Sequence, residues 1–98
     1  MPERIVVLDA IDEASAERLR ALLPEGFTLT HATERGDAHL AEIITHADFA
    51  VSGQVGVSAE VLRAATRLKL LHKWGVGVDN LDVDTARELG IAVARTSS

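Results

Sequence analysis

Short apolar runs alternate with helical patterns along the whole chain of 98 residues, and this alternation constrains the fold more than any other feature. Most of the runs are continuously apolar, as expected of strands covered on both faces of a parallel sheet. The predicted strands are residues 4–9, 27–30, 48–51, 68–71 and 91–94. Four helical patterns lie between them. The chain therefore predicts an α/β fold with an open, doubly wound parallel sheet of five strands.

Each helical pattern has a recognisable start. Asp12 is a candidate N-cap for the first helix, Ser58 for the third and Asp82 for the fourth, and the second begins at Gly36 and Asp37. The first helix is expected to bury one apolar side, made of Ala16, Leu19, Leu22 and Leu23. Because crossovers between parallel strands are right-handed, few topologies remain, and we predict the flavodoxin-like strand order 2-1-3-4-5.

Composition excludes several functional classes. The net charge is −5 and no basic run occurs, which argues against a nucleic-acid partner. No segment approaches the length of a membrane span, and the N-terminus has no signal-peptide pattern. Cysteine is absent, and the four histidines have no metal-ligand spacing. These features predict a single domain over residues 1–98, located in the cytoplasm, without a metal site.

The loop after the third predicted strand is a candidate anion site. In such sheets, ligands bind beyond the carboxyl ends of the strands, where the strand order reverses. Three loops fall at or near that point, over residues 9–12, 52–57 and 74–80. Gly53 and Gly56 would permit positive φ angles and close approach of a ligand to a nest of backbone N–H groups. The alternative is an ordinary strand-to-helix connection that uses glycines for its turn.

The loop after the fourth predicted strand contains Gly75-Val76-Gly77. It lacks the third glycine of a dinucleotide fingerprint, since Asn80 stands there. The turn still allows close backbone approach by a small ligand, or alternatively tight packing of strand on helix. Lys73, at the end of the strand, is a candidate for an electrostatic contact with a substrate anion.

The acidic residues after this turn suit local structure better than metal binding. Asp82 is well placed as an N-cap, and Asp84 falls in the first helical turn, where the helix dipole favours a negative charge. Asp79 and Asn80 are expected to fix the turn through bonds from side chain to backbone. Trp74 is expected to serve in packing.

The second half of the chain carries a spaced set of residues with a specific resemblance. The set consists of Leu68-Lys69-Leu70-Leu71, Gly75-Val76-Gly77-Val78-Asp79-Asn80-Leu81-Asp82, Ala86, Gly90-Ile91-Ala92-Val93 and Thr96. It resembles the D-isomer-specific 2-hydroxyacid dehydrogenases, the family of phosphoglycerate dehydrogenase. The resemblance implies that backbone N–H groups of two loops hold a substrate carboxylate. Carried over by position, those loops contribute Ser52, Gly53 and Gln54, and Val76 and Gly77.

The same resemblance implies the substrate-binding part of an oxidoreductase that transfers hydride between NAD(P)H and a 2-oxo or 2-hydroxy acid. In the family, the catalytic Arg, Glu and His and the nucleotide loop lie in the part that would follow Ser98. We therefore expect no catalytic and no cofactor-binding residue in this chain, and no activity from it alone. NAD or NADP would be bound by a nucleotide-binding domain of the same enzyme, and a homodimer is a family expectation. The alternative is a free-standing flavodoxin-like module that binds a small carboxylate, or assists assembly, without catalysis.

Overall fold

The computed structural model describes residues 3–34, 36–53, 55–74 and 82–96. Strands and helices alternate along the chain as expected. The strands are β1 (Glu3–Ala10), β2 (Phe27–Ala32), β3 (Phe49–Ser52), β4 (Leu70–Trp74) and β5 (Ala92–Thr96). The helices are α1 (Glu13–Ala21), α2 (Asp37–Ile44), α3 (Ala59–Ala64) and α4 (Val83–Glu88).

The five strands form one sheet in the order β2-β1-β3-β4-β5. All four pairings are parallel, which confirms the predicted flavodoxin-like doubly wound topology. β2 and β5 are the edge strands. The strand order reverses between β1 and β3, so their carboxyl ends lie at the edge where ligands bind in folds of this kind.

The predicted start of the fourth strand is wrong by two residues. β4 begins at Leu70 and continues to Trp74, because Ser52 of β3 pairs with Lys73 and Trp74 pairs with Thr96 of β5. The amide of Leu68 instead closes a turn on the carbonyl of Ala65, 3.4 Å away. Lys73 is therefore a residue of the ladder, held in a fixed register beside β3.

The core lies mainly on the face of the sheet covered by α2, α3 and α4. Its buried residues are aliphatic, as a chain with 3% aromatic residues requires. They include Val6, Leu8, Leu40, Ile44, Ala50, Val57, Val61, Leu62, Leu71, Ala86 and Ile91. A smaller cluster of Val7, Ala16 and Leu29 forms under α1 on the opposite face. On that face Ala92 and Ala94 of β5 are exposed. No helix in the described part of the chain is long and apolar enough to cross a membrane.

The predicted apolar side of α1 is correct except at Leu22. Ala16 is buried, and Leu19 and Leu23 pack against the smaller cluster. Leu22 is 80% exposed, because the helix ends at Ala21 and Leu22 is its C-cap.

The predicted helix starts are confirmed. The carboxylate of Asp12 accepts the backbone N–H of Ser15 at 2.7 Å, and the hydroxyl of Ser58 accepts that of Val61 at 3.4 Å. Gly36 is the N-cap of α2, with a φ of 122° that disfavours any residue with a side chain. These caps place the amino ends of the helices at the carboxyl edge of the sheet.

Asp48 links two strands at the amino-terminal edge of the sheet, opposite the helix amino ends. Its carboxylate is buried and accepts the backbone N–H of Arg4 at 2.9 Å, while the guanidinium of Arg67 lies 4.0 Å away. The bond from the Arg4 backbone holds the pKa of the Asp48 carboxyl below its ordinary value of 3.8. Asp48 therefore joins the starts of β1 and β3 in its charged form.

Stability should fall in acid partly through Asp48. Because its pKa is lower in the folded chain, it stabilises the fold above pH 3.8, and this contribution is lost as the pH falls through the folded value. Urea unfolding of wild type and Asp48→Asn at several pH values between 7 and about 2.5 measures the effect. Asn keeps an oxygen for the Arg4 N–H but cannot titrate, so its stability should vary less with pH. Identical pH profiles would contradict this role.

Candidate functional site

The carboxyl ends of β1, β3 and β4 meet at one place, which we call the strand-end site. It consists of Asp9, Ser52, Gly53, Val55 and Lys73. The parallel register fixes it, because Val7 of β1 pairs with Val51 of β3 and Ser52 pairs with Lys73 of β4. The site therefore lies where the strand order reverses, at the position predicted for ligand binding.

Lys73 is buried within this site. It is 3% exposed, and its ammonium group donates a hydrogen bond to the carbonyl oxygen of Gly53. A buried ammonium needs such a partner because leaving it unpaired would cost several kcal/mol. Lys73 was predicted to contact a substrate anion. In this structure its charge lies against the backbone of the first loop, at residues 52–57.

Gly53 allows the side chain of Asp9 to reach the same loop. A Cβ atom at Gly53 would lie 2.1 Å from Oδ2 of Asp9, closer than side-chain carbon atoms approach in proteins. The other carboxylate oxygen, Oδ1, accepts the backbone N–H of Val55 at 3.0 Å. The expectation of a positive φ at Gly53 is wrong. The glycine is required by the close approach of Asp9 and not by the turn.

Ser52 closes the loop from its own strand. Its side chain is fully buried, and its hydroxyl donates to the carbonyl oxygen of Val55 at 2.8 Å. The first loop is thus bonded by side chains from three strands: Asp9 of β1, Ser52 of β3 and Lys73 of β4. Such bonds hold the backbone of a loop in one conformation, as a binding site built from backbone groups requires.

The segment between Trp74 and Asp82, which we call the second loop, is flanked by residues that bond to the first loop. Before it, Lys73 donates to the carbonyl of Gly53. After it, the backbone N–H of Asp82 donates to the carbonyl of Val57 at 3.1 Å. The residues that flank the second loop, Lys73 and Asp82, therefore both bond to the first loop. Other predicted residues lie outside the described part of the chain: Gln54, Val76, Gly77, Asp79 and Asn80, together with the side chain of Trp74.

The acidic residues that begin α4 have the structural roles predicted for them. The carboxylate of Asp82 accepts the backbone N–H of Thr85 at 3.0 Å, which lowers the pKa of Asp82. Asp84 lies in the first turn of the helix. Within the described ranges, no three His, Asp or Glu side chains come together as a potential metal site.

Asp9 is the site residue that the sequence analysis missed. It lies in one of the three loops placed near the crevice, but no motif identified it. The register between β1 and β2 shifts between Val7 and Ala10, the interval that contains Asp9, and such irregularities re-aim side chains at strand ends. An acidic residue that closes a buried apolar run was the available signal. Its carboxylate and the ammonium of Lys73 both bond to the backbone of the first loop.

The chain is similar to one protein family over nearly its whole length. Residues 5–98 match the family model described as "D-isomer specific 2-hydroxyacid dehydrogenase, catalytic domain". A D-3-phosphoglycerate dehydrogenase of Archaeoglobus fulgidus is 32% identical over 91 residues, which are 92% of this chain and 17% of that protein. A hydroxypyruvate reductase of Thermotoga maritima is 32% identical over 94 residues, covering 95% of this chain and 30% of that protein.

A solved structure has the same fold over nearly the whole chain. The NAD+-bound 3-phosphoglycerate dehydrogenase of Entamoeba histolytica superposes with a TM-score of 0.86 at 22% sequence identity. The superposition covers 98% of this chain and 33% of that one. The chain thus spans a third or less of the length of these three relatives.

Proposed function

The chain belongs to the family of D-isomer specific 2-hydroxyacid dehydrogenases, and from this premise we propose that it binds the substrate of such an enzyme. The reaction proposed for the whole enzyme is the transfer of hydride from NADH or NADPH, with a proton, to the carbonyl of a 2-oxo acid. The products are the 2-hydroxy acid and the oxidised cofactor, and the reaction is reversible.

The observation that carries this proposal is the attachment of the second loop to the first at both of its ends. The bonds from Lys73 to Gly53 and from Asp82 to Val57 join the residues on either side of the second loop to the first loop, and both segments contain glycines in their sequences. Backbone N–H groups from such loops bind carboxylates without a basic side chain. In a chain with a net charge of −5, local donors of this kind are needed to attract an anion.

We assign the substrate carboxylate to backbone N–H groups of Ser52, Gly53 and Gln54 in the first loop, and of Val76 and Gly77 in the second. The buried ammonium of Lys73 contributes a positive charge beside the first loop. The N–H of Val55 does not belong to this set, because Asp9 accepts it. Hydride transfer and acid–base catalysis are assigned to groups outside these residues.

The cofactor does not fit this chain's own residues. The sequence Gly75-Val76-Gly77 is followed by Asn80 at the position where a dinucleotide-binding motif has its third glycine. We therefore propose that a separate nucleotide-binding domain of the same enzyme binds NAD or NADP and supplies the catalytic groups. This chain would hold the acid in place for that domain.

The proposal is tested by comparing two forms of the protein. One is the chain of 98 residues, and the other continues past Ser98 through a nucleotide-binding domain. Absorbance of NADH and of NADPH is followed with a panel of short 2-oxo acids that includes glyoxylate and pyruvate. We expect the longer form to oxidise a reduced cofactor with at least one acid and the shorter form with none.

Two results would contradict the proposal. One is a folded longer form that binds NADH but turns over no acid in the panel. The other is turnover by the 98-residue chain alone, which would require catalytic groups inside it. Binding of a small carboxylate by the short form, with no turnover by either form, would favour a free-standing binding module instead.

A further inference from the structure

We propose that Asp9 and Lys73 are positioning residues that set the backbone of the first loop before a substrate binds. This inference rests on the proposed function of the loop as a carboxylate site. The two residues act on opposite kinds of backbone group. Lys73 donates to the carbonyl of Gly53, and Asp9 accepts the N–H of Val55.

The bond from Lys73 removes an unfavourable group from the site. A carbonyl oxygen directed at a bound carboxylate would repel it, since both carry negative charge. Lys73 is 3% exposed, so it draws the Gly53 carbonyl toward the interior of the domain. Its ammonium therefore favours an anion in two ways, through its charge and through the orientation it imposes on this carbonyl.

Asp9 has two opposing effects on an anionic ligand. Its negative charge beside the loop repels a carboxylate, whereas its bond to Val55 holds the loop in the conformation that receives one. The sequence places glycine at residue 53, where any side chain would meet Asp9. The contact between Asp9 and the loop is therefore close and specific, and we infer that the positioning effect is the larger one.

Two substitutions separate these effects. Asp9→Ala removes both the charge and the acceptor for Val55, whereas Asp9→Asn removes the charge and retains an oxygen that can accept the same N–H. If positioning dominates, Ala weakens anion binding, while Asn leaves it equal to that of wild type or tighter. If repulsion dominates, both variants bind more tightly than wild type.

The experiment uses the 98-residue chain with oxalate as the probe. Oxalate affinity is measured by calorimetry, and exchange of the Val55 amide proton is measured by NMR without ligand. Asp9→Ala should weaken oxalate binding by about tenfold and speed exchange of the Val55 amide by about tenfold, as for loss of one charge-assisted hydrogen bond. Asp9→Asn should restore both values. The melting temperature of each variant is measured as well. A general loss of stability would lower the oxalate affinity of both variants and would not separate Asp9→Asn from Asp9→Ala.

Lys73 is tested with a matched control. Lys73→Met removes the ammonium at similar length and should weaken oxalate binding by about tenfold or more. Lys69→Met makes the same change of net charge at a side chain that is 59% exposed and paired with Glu3. It should leave oxalate affinity within about twofold of wild type.

The outcomes distinguish this inference from the function it rests on. If wild type binds oxalate and Asp9→Ala leaves this binding unchanged or strengthens it, the positioning role is overturned. The proposed function then remains intact. Absence of oxalate binding by folded wild type overturns the proposed function. In that case exchange of the Val55 amide proton still tests whether Asp9 holds the loop. An exchange rate that Asp9→Ala does not change overturns the positioning role of Asp9 as well.

Discussion

Replacing Leu71 by Ala is expected to lower the free energy of unfolding by about 2–5 kcal/mol, the range for a buried leucine. Leu71 is fully buried on β4 and belongs to the main core cluster. The domain is small and its core is aliphatic, so the loss is a large fraction of the total stability. Urea unfolding followed by circular dichroism measures the change.

Leu22→Ala is the matched control for this substitution. It makes the same chemical change at a side chain that is 80% exposed, and should alter the free energy of unfolding by about 0.5 kcal/mol or less. Equal effects of the two substitutions would mean that Leu71 does not lie in the core described for β4.

Replacing Gly53 by Ala is expected to cost about 1–3 kcal/mol of stability, because the added Cβ forces the carboxylate of Asp9 to move. It would lie 2.1 Å from Oδ2 of Asp9. Asp9 can move away only by giving up the hydrogen bond between Oδ1 and the N–H of Val55. The substitution should therefore loosen the first loop as well as destabilise the domain, and should weaken binding of a carboxylate there.

A double-mutant cycle tests this explanation. In the Asp9→Ala background the obstructing carboxylate is absent, so Gly53→Ala should cost at least about 1 kcal/mol less than in wild type. Unfolding free energies of the two single variants and the double variant give the coupling. Effects that add within about 0.5 kcal/mol would show that Asp9 is not what excludes a side chain at residue 53.

The topology could be predicted because each of its signals is local. Apolar runs, helical spacing and capping residues such as Asp12, Ser58 and Asp82 each lie within a few residues of the feature they specify. Leu22 was misplaced because the end of α1 is set by a C-cap that apolar spacing does not reveal. The start of β4 was misplaced because pairing with β3 and β5, and not its own apolarity, determines its length.

The meeting of these strand ends could be predicted from the sequence, but the contacts between them could not. The rule of strand-order reversal places the loops at residues 9–12 and 52–57 together. The bond between Asp9 and Val55 joins residues 46 apart, and that between Lys73 and Gly53 joins residues 20 apart. No local pattern encodes such contacts. The reason for Gly53 was also mistaken. From the sequence alone, a glycine needed for a steric contact with a neighbouring strand cannot be distinguished from a glycine needed for a positive φ.

The carboxylate site in the two loops is the central claim, and NMR titration of the 15N-labelled chain with oxalate tests it most directly. We expect saturable shifts centred on the amides of Ser52, Gly53, Gln54, Val76 and Gly77, with the Val55 amide remaining protected by Asp9. Succinate, whose carboxylates are farther apart, and chloride at equal ionic strength serve as controls. A folded chain whose amides do not respond to oxalate, or respond only away from these two loops, would contradict the claim.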